Sequence, residues 1–551
     1  MKLEKRTRSI TDTEDLSEDN GKNKKINRDD SQGISEILGE FKKYIKDFEV
    51  EKMYFTLEKI NQKEILLSDI EDLITFGFSE MIKESLEKLN YTISLTNDTE
   101  ENEECGKVLN GLKIKIFKLI LNVLLDISEF QDGSSQIGNQ DINTLKLKLL
   151  LEDGLTFSLL KTVRNIENMY LRNLKAESIF SKKSQDFGEL IDHENELLQE
   201  SILETYFQFL ESTIEIDPKK VSKEFTNSEG LFEWLMQIFD NDESFIVDEI
   251  TSLKMEILSI IFQYIKVSQI STNGINIDKK EVMDKFLVKL ATFGLRDGEI
   301  GGIKEKEFVH NIVDIICNSL FEEDMRKEFN DLQGLELMVK LIEEKAFMRP
   351  LSVKILSFAL IDKGEMSNKF IQISGLKLVF ALLAHSSKNL TNNEKYIKNR
   401  QQQDTDEHLC SIIKSLLQFS TGNDHEMLIN KLIENNYLKL KNFLVLRKYY
   451  SNKITQALES SQDLQEEDEE QIEIIETIAI DAGLFIVQLI DLIIVYTIYY
   501  EKGDINDFEK NVLSKNGVHL DDLKTSIEDY SNSLNQDEKV FNEKILLYLN
   551  S

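Results

Sequence analysis

Apolar positions recur at three- and four-residue steps with few interruptions from Ile34 onward. ISEILGEFKKYIKDFEVEKMYFTLEKI sets the pattern, and LKIKIFKLILNVLLDISEF, LLQESILETYFQFLESTIEI, LKMEILSIIFQYIKV and EFVHNIVDIICNSLF repeat it. That spacing puts side chains on one face of an α-helix. Several of these segments are apolar around much more than one face, so each predicts a helix held between neighbours. Neither a run of strict alternation nor an Asn-Gly or Asp-Gly between two such runs marks a hairpin.

Gly-Leu heads four of the apolar runs: EDGLTFSLL, EGLFEWLMQIF, QGLELMVKLI and SGLKLVFALL, at Gly154, Gly230, Gly334 and Gly375. Gly334 and Gly375 are 41 residues apart, Gly154 and Gly230 are 76 apart, and the 104 between Gly230 and Gly334 fits two periods plus an insertion. STNGINIDKK or FGLRDGEIGGIKEKE supplies the insertion. A period near 40 residues built only from helices predicts an all-α armadillo or HEAT solenoid. The glycine is expected to supply the turn and the leucine to start a core helix. Each unit then buries its apolar face only against its neighbours.

The organisation follows. Residues 1–34 predict a disordered tail, 35–150 an N-terminal helical cap with the first repeats, and 151–455 armadillo repeats. The acid-rich 456–472 predicts a linker, and 473–551 a C-terminal helical cap that covers the end of the stack. Within the cap, TIAIDAGLFIVQLIDLIIVYTIYY predicts one core helix. Its stretch Leu484–Tyr500 is interrupted by Gln488 and Asp491 and is short of the ~20 apolar residues of a membrane span.

Composition permits this architecture: 2 Pro and 23 Gly in 551 residues leave long helices unbroken. The 66 basic and 100 acidic residues give a net charge of −34. Residues 1–30 are neutral, with eight of each sign, so the remainder carries the whole excess. Such a field repels nucleic-acid phosphates and attracts basic partners. The opening twenty residues lack the apolar core of a secretory signal. Two basic clusters, Lys5, Arg6 and Arg8, then Lys22, Lys24 and Lys25, resemble a bipartite nuclear localisation signal.

Candidate chemistry is sparse. The 3 Cys form no CxxC pair, and the 6 His form neither HExxH nor a close helical pair. Neither GxGxxG nor GxxxxGK[ST] is present, so no cofactor is expected. The better candidate is a binding face. Asn311, Asp314 and Asn318 fall at i, i+3 and i+7 on EFVHNIVDIICNSLF, where Asp314 and its flanking amides would accept from a Lys/Arg-rich peptide.

From about Glu307 an ordered series resembles the β-catenin-like protein 1 family: EFVHNIVDIICNSL, GLELMVKLI, PLSVKILSFALIDKG, NKFIQISGLKLVFALL, DEHLCSIIKSLL, NKLIENNYLKLKNFL and DAGLFIVQLIDLI. The resemblance implies an armadillo fold with caps and a nuclear, non-enzymatic, spliceosome-associated protein. It further implies binding to basic segments of splicing factors within the NineTeen complex, and allows homodimers. Asn311 and Asp314 stand where the family motif also has Asn and Asp. Glu407, His408 and Asn435 fall in shared motifs, as do Asp481 and Gln488, for which structural roles are expected. A competing expectation is an importin-α-like carrier. That groove needs a ladder of tryptophans, and this chain has one, Trp234.

Overall fold

The computed structural model describes residues 33–63, 65–95, 103–130, 136–137, 140–151, 154–180, 188–227, 230–240, 247–272, 275–296, 301–344, 346–361, 364–392, 400–460, 469–502, 508–532 and 536–550. Among these the architecture is helical. The exceptions are two short antiparallel pairs, Gln136–Ile137 with Gln140–Asp141 and Ser271–Thr272 with Ile275–Asn276. The basic clusters of the first 25 residues lie outside the described residues.

The helices stack as a solenoid. One row runs Val50–Asn61, Glu103–Glu129, Gly188–Ile216, Glu249–Tyr264, Ile303–Ser319, Met348–Ala359, Arg400–Phe419 and Leu484–Glu501, each packed on the next. A second row, Lys279–Leu295, Gly334–Glu344, Gly375–Asn392 and Gly422–Glu459, backs its later half. A continuous apolar core reaches from Ile34 to Leu549. Ile303–Ser319 shows why these segments are helical. Phe308, Val309, Ile312, Val313, Ile315 and Ile316 recur at helical spacing and are buried, while Glu305 in the first turn complements the helix dipole. Asp248 starts Glu249–Tyr264 by accepting from the Thr251 N–H at 2.8 Å.

The Gly-Leu units mark the junction between a short helix and the helix that follows it. Gly154 and Gly230 carry φ of 79° and 80°, as a turn requires. Gly334 and Gly375 do not: the left-handed residues there are Gln333 at 61° and Ser374 at 70°. These two glycines serve packing instead. A Cβ on Gly334 would lie 2.5 Å from the Phe329 ring, and one on Gly375 would lie 2.4 Å from the Phe370 ring. Both rings are fully buried. Gly375→Ala is therefore expected to cost about 1–3 kcal/mol by overpacking. Ser374→Gly, which relieves a left-handed non-glycine, should cost nothing comparable. Paired urea melts of the two variants check this.

The long gap between Gly230 and Gly334 holds two row helices, Glu249–Tyr264 and Ile303–Ser319. In the second of these units the continuous helix Lys279–Leu295 takes the place of the short helix–glycine–helix junction. The predicted insertions fall at its two ends.

Two expectations change at the C-terminal end. The acidic stretch 456–472 is helical on both sides, as the end of Gly422–Glu459 and the start of Glu469–Ala482, with 461–468 outside the described residues. The single cap helix is two, broken at Gly483 with φ 112°. A Cβ there would lie 2.6 Å from Tyr450. Leu484–Glu501 is long and apolar enough to cross a membrane by composition, yet it lies mostly buried in the row against Arg400–Phe419.

Candidate functional site

Ile303–Ser319, Met348–Ala359 and Arg400–Phe419 lie side by side, so a residue on one meets the residue about one repeat later. Asn311, Asp314 and Asn318 are half-buried on the first helix. Asp314 does not stand open to a ligand as expected, because Lys354 from the next helix reaches it, Nζ to Oδ1 2.6 Å. Burial alone would lower the pKa of Lys354, but Asp314 carries it above the usual lysine range. Both side chains keep about a third of their surface in solvent, at 34% and 38%. The pair therefore contributes little to stability and remains reachable by a competing charge.

The third helix brings Asp404, Glu407 and His408. Burial, then the neighbouring Asp404, pushes the Glu407 carboxyl up to about 7. Burial, then Lys354, pushes His408 down to about 4, so its imidazole is neutral at physiological pH. His408 Nδ1 shares a hydrogen bond of 2.9 Å with Ser357 Oγ. Rings continue the contact: Phe321 meets Phe358 edge-on at 5.4 Å, and Phe358 lies 6.2 Å from His408. At the other end His310 lies edge-on to Phe347 at 5.7 Å.

Asp314 and His408 are thus joined through Lys354 and Ser357, and Glu407 is the residue beside His408. Asn435 is not part of this arrangement. It opens a left-handed turn, Asn435, Asn436 and Tyr437 at φ 56°, 57° and 58°, that breaks Gly422–Glu459. Asparagine tolerates that region, whereas tyrosine does so only under constraint. Tyr437 is held by its hydroxyl donating to Glu501 at 2.7 Å and by the Phe508 ring at 5.1 Å. Asn435 is therefore accounted for by the backbone. At Asp481, the backbone carbonyl accepts from Gln403 Nε2 at 3.0 Å. Among the described residues no group of three or more His, Cys, Asp or Glu converges to hold a metal. Cys317 and Cys410 are buried, and burial drives both thiols well above their ordinary range.

Lys354, Ser357, Phe321 and Phe358 were not singled out from the sequence. The available signal was the repeat itself, since Lys354 follows Asp314 by 40 residues, close to the spacing of Gly334 and Gly375.

Residues 161–528, two thirds of the chain and all of this face, match the sequence profile of a family described as catenin-beta-like, Arm-motif containing, nuclear. The chain belongs to that family. It is 24% identical over 316 residues to beta-catenin-like protein 1 of Homo sapiens and, equally, of Bos taurus. These matches cover 56% of this chain and 54% of those proteins, so the chain spans about half the length of the relatives it matches. The crystal structure of SYS-1 aligns over 94% of this chain and 99% of its own at 8% identity, with a TM-score of 0.41. As an Arm-motif protein, this catenin-beta-like chain has the architecture of a scaffold. The lone Trp234 is 1% exposed, and so offers no tryptophan to a groove of the importin type.

Proposed function

We propose that this catenin-beta-like chain is a non-enzymatic nuclear scaffold of the splicing machinery. It binds Lys/Arg-rich, nuclear-localisation-type segments of splicing factors, in the setting of the NineTeen complex, through the face built on its three adjacent row helices. The observation that carries this reading is the set of solvent-reachable carboxylates, Asp314 on the first of these helices and Asp404 and Glu407 on the third, with Lys354 between them, on a body with net charge −34. A basic segment finds acceptors two row helices apart there, on either side of Lys354, and the field of the whole chain steers it in. The nuclear setting rests on the family description and on the basic clusters between Lys5 and Lys25.

Lys354 is the internal competitor of such a ligand, and Glu407 is the group whose charge the ligand would complete. A carboxyl that titrates near 7 is ionised above that pH, and only then does it attract a cation. Affinity for a basic segment should therefore rise as pH increases through about 7. Glu407→Gln should flatten that rise. Fluorescence anisotropy of a labelled Lys/Arg-rich segment on the full chain reads both. Binding with the same pH profile in wild type and Glu407→Gln would remove Glu407 from the site. Normal binding by Asp314→Lys would remove Asp314, and the absence of binding to any such segment would overturn the scaffold reading.

A further inference from the structure

Two adjacent row helices carry the same template. Asp314, Asn318 and Phe321 are i, i+4 and i+7 on Ile303–Ser319 and its last turn. Lys354 and Phe358 on Met348–Ala359, with Ile361 just past its end, repeat that spacing. On the third helix Asp404 and His408 take the first two places. Across the face Lys354 bonds Asp314 and feels the charge of Asp404, and the rings of Phe321, at an i+7 place, and of Phe358 and His408, at i+4 places, form a chain of neighbours.

The row of rings runs from solvent to core. Phe321 at one end is 60% exposed, Phe358 is half-buried against the core and His408 is half-buried, while Ile361 beside Phe358 is 41% exposed. What singles Phe321 out is its contact: its exposed ring continues the chain of rings that leads through Phe358 to His408, one helical turn from Asp404 and beside Glu407. Its neighbours decide what it fits. A planar cation lies flat on a ring and pairs two N–H groups with one carboxylate, as arginine does and lysine cannot. An isolated apolar partner would leave Asp404 and Glu407 desolvated and uncompensated.

We propose that Phe321 and Phe358 form an arginine-selective platform. Arginines of the bound basic segment stack on the rings while the carboxylates of Arg400–Phe419 hold their guanidinium groups. The inference rests on the basic-segment reading above and adds a selectivity which that reading does not require.

The test uses the full chain and two short synthetic peptides. One carries a run of arginines and the other has lysine at each of those positions, so the charge is equal. Wild type should bind the arginine peptide about fivefold more tightly. Phe321→Ala, a change at an exposed ring, should reduce that preference to about twofold or less and leave lysine-peptide affinity unchanged. Phe358→Leu should do the same, with circular dichroism melts of both variants showing an intact fold. Equal affinity for the two peptides on wild type overturns the platform and leaves the scaffold reading standing. An equal loss of both peptides in Phe321→Ala also overturns the platform. Binding of neither peptide overturns both ideas. If Phe321→Ala instead changes self-association of the full chain in sedimentation, with peptide affinities unmoved, the ring belongs to a contact between copies and the platform is overturned.

Discussion

Asp491→Ala should destabilise the C-terminal end of the solenoid by about 3–5 kcal/mol, because it strands a buried guanidinium. Asp491 is fully buried in the middle of Leu484–Glu501, an almost wholly apolar helix. Arg447, from the second helical half of Gly422–Glu459, meets it with both arms of its fork, Nε to Oδ1 2.6 Å and Nη2 to Oδ2 3.1 Å. Removing the carboxylate leaves Arg447, whose side chain is only 13% exposed, without its partner and with little water to replace it. The pair itself need not be worth that much. Taking two charges out of water offsets most of their attraction, so the double variant Asp491→Leu with Arg447→Met should recover most of the loss. A helical array can open in segments. Hydrogen exchange over 484–501 is therefore the appropriate reading, alongside urea melts. A single-variant loss below about 1 kcal/mol would show that the two charges are solvated, as in a surface pair.

Trp234→Ala should cost a similar ~3–5 kcal/mol. Trp234 fills the junction between an early and a middle row helix, stacked on Phe207 at 5.6 Å and edge-on to Tyr206 at 6.2 Å. It is also a polar anchor. Its Nε1 donates to Glu167 Oε2 at 2.6 Å, Lys254 bonds the other carboxylate oxygen, and Lys254 Nζ lies 4.1 Å from the indole centroid. Alanine opens a cavity and leaves Glu167 one donor short, and both effects lower stability. Trp234→Phe restores most of the volume without the donor. It should fall between wild type and alanine, closer to wild type if the cavity dominates. Unfolding followed by circular dichroism separates the three proteins. In wild type the fluorescence of this single tryptophan reports the same junction.

The sequence was most legible where local periodicity and burial agree. Phe308, Ile312, Val313 and Ile316 announce a helix by spacing alone, and the Gly-Leu heads announce a repeat. It was less legible where a residue's role depends on a contact from another unit. Gly334 and Gly375 look like turn glycines, yet rings five residues earlier require them. Gly483 ends a helix inside an apolar stretch that reads as continuous, because Tyr450 from another helix occupies the space. Asn435 sits in a family motif, but it shapes a left-handed turn whose strain Tyr437 shares. At the site, the helical face of Asp314 could be read from spacing. Lys354 could not, because nothing in a single helix says which side chain the next repeat will bring. Spacings of 40 residues from Asp314 to Lys354, 37 from Phe321 to Phe358 and 50 from Phe358 to His408 are repeat-length pairings, visible only once the stacking order is known.

The acidic face also explains why Lys354 is where it is. Without a cation on the helix between them, Asp314 on one side and Asp404 and Glu407 on the other would face each other as like charges. One lysine keeps the free protein balanced while leaving room for more positive charge. On the proposed reading, binding would exchange this weak internal pair for several external ones, which makes salt the most direct probe.

The measurement that bears most directly on the account is therefore a salt titration of the full chain with a Lys/Arg-rich segment of a splicing factor, at a pH above the Glu407 transition. Tight binding is expected at low ionic strength, weakening steadily as salt rises, with Asp314→Asn weaker than wild type at every salt concentration. No binding at low salt, or an affinity that salt leaves unchanged, would contradict it.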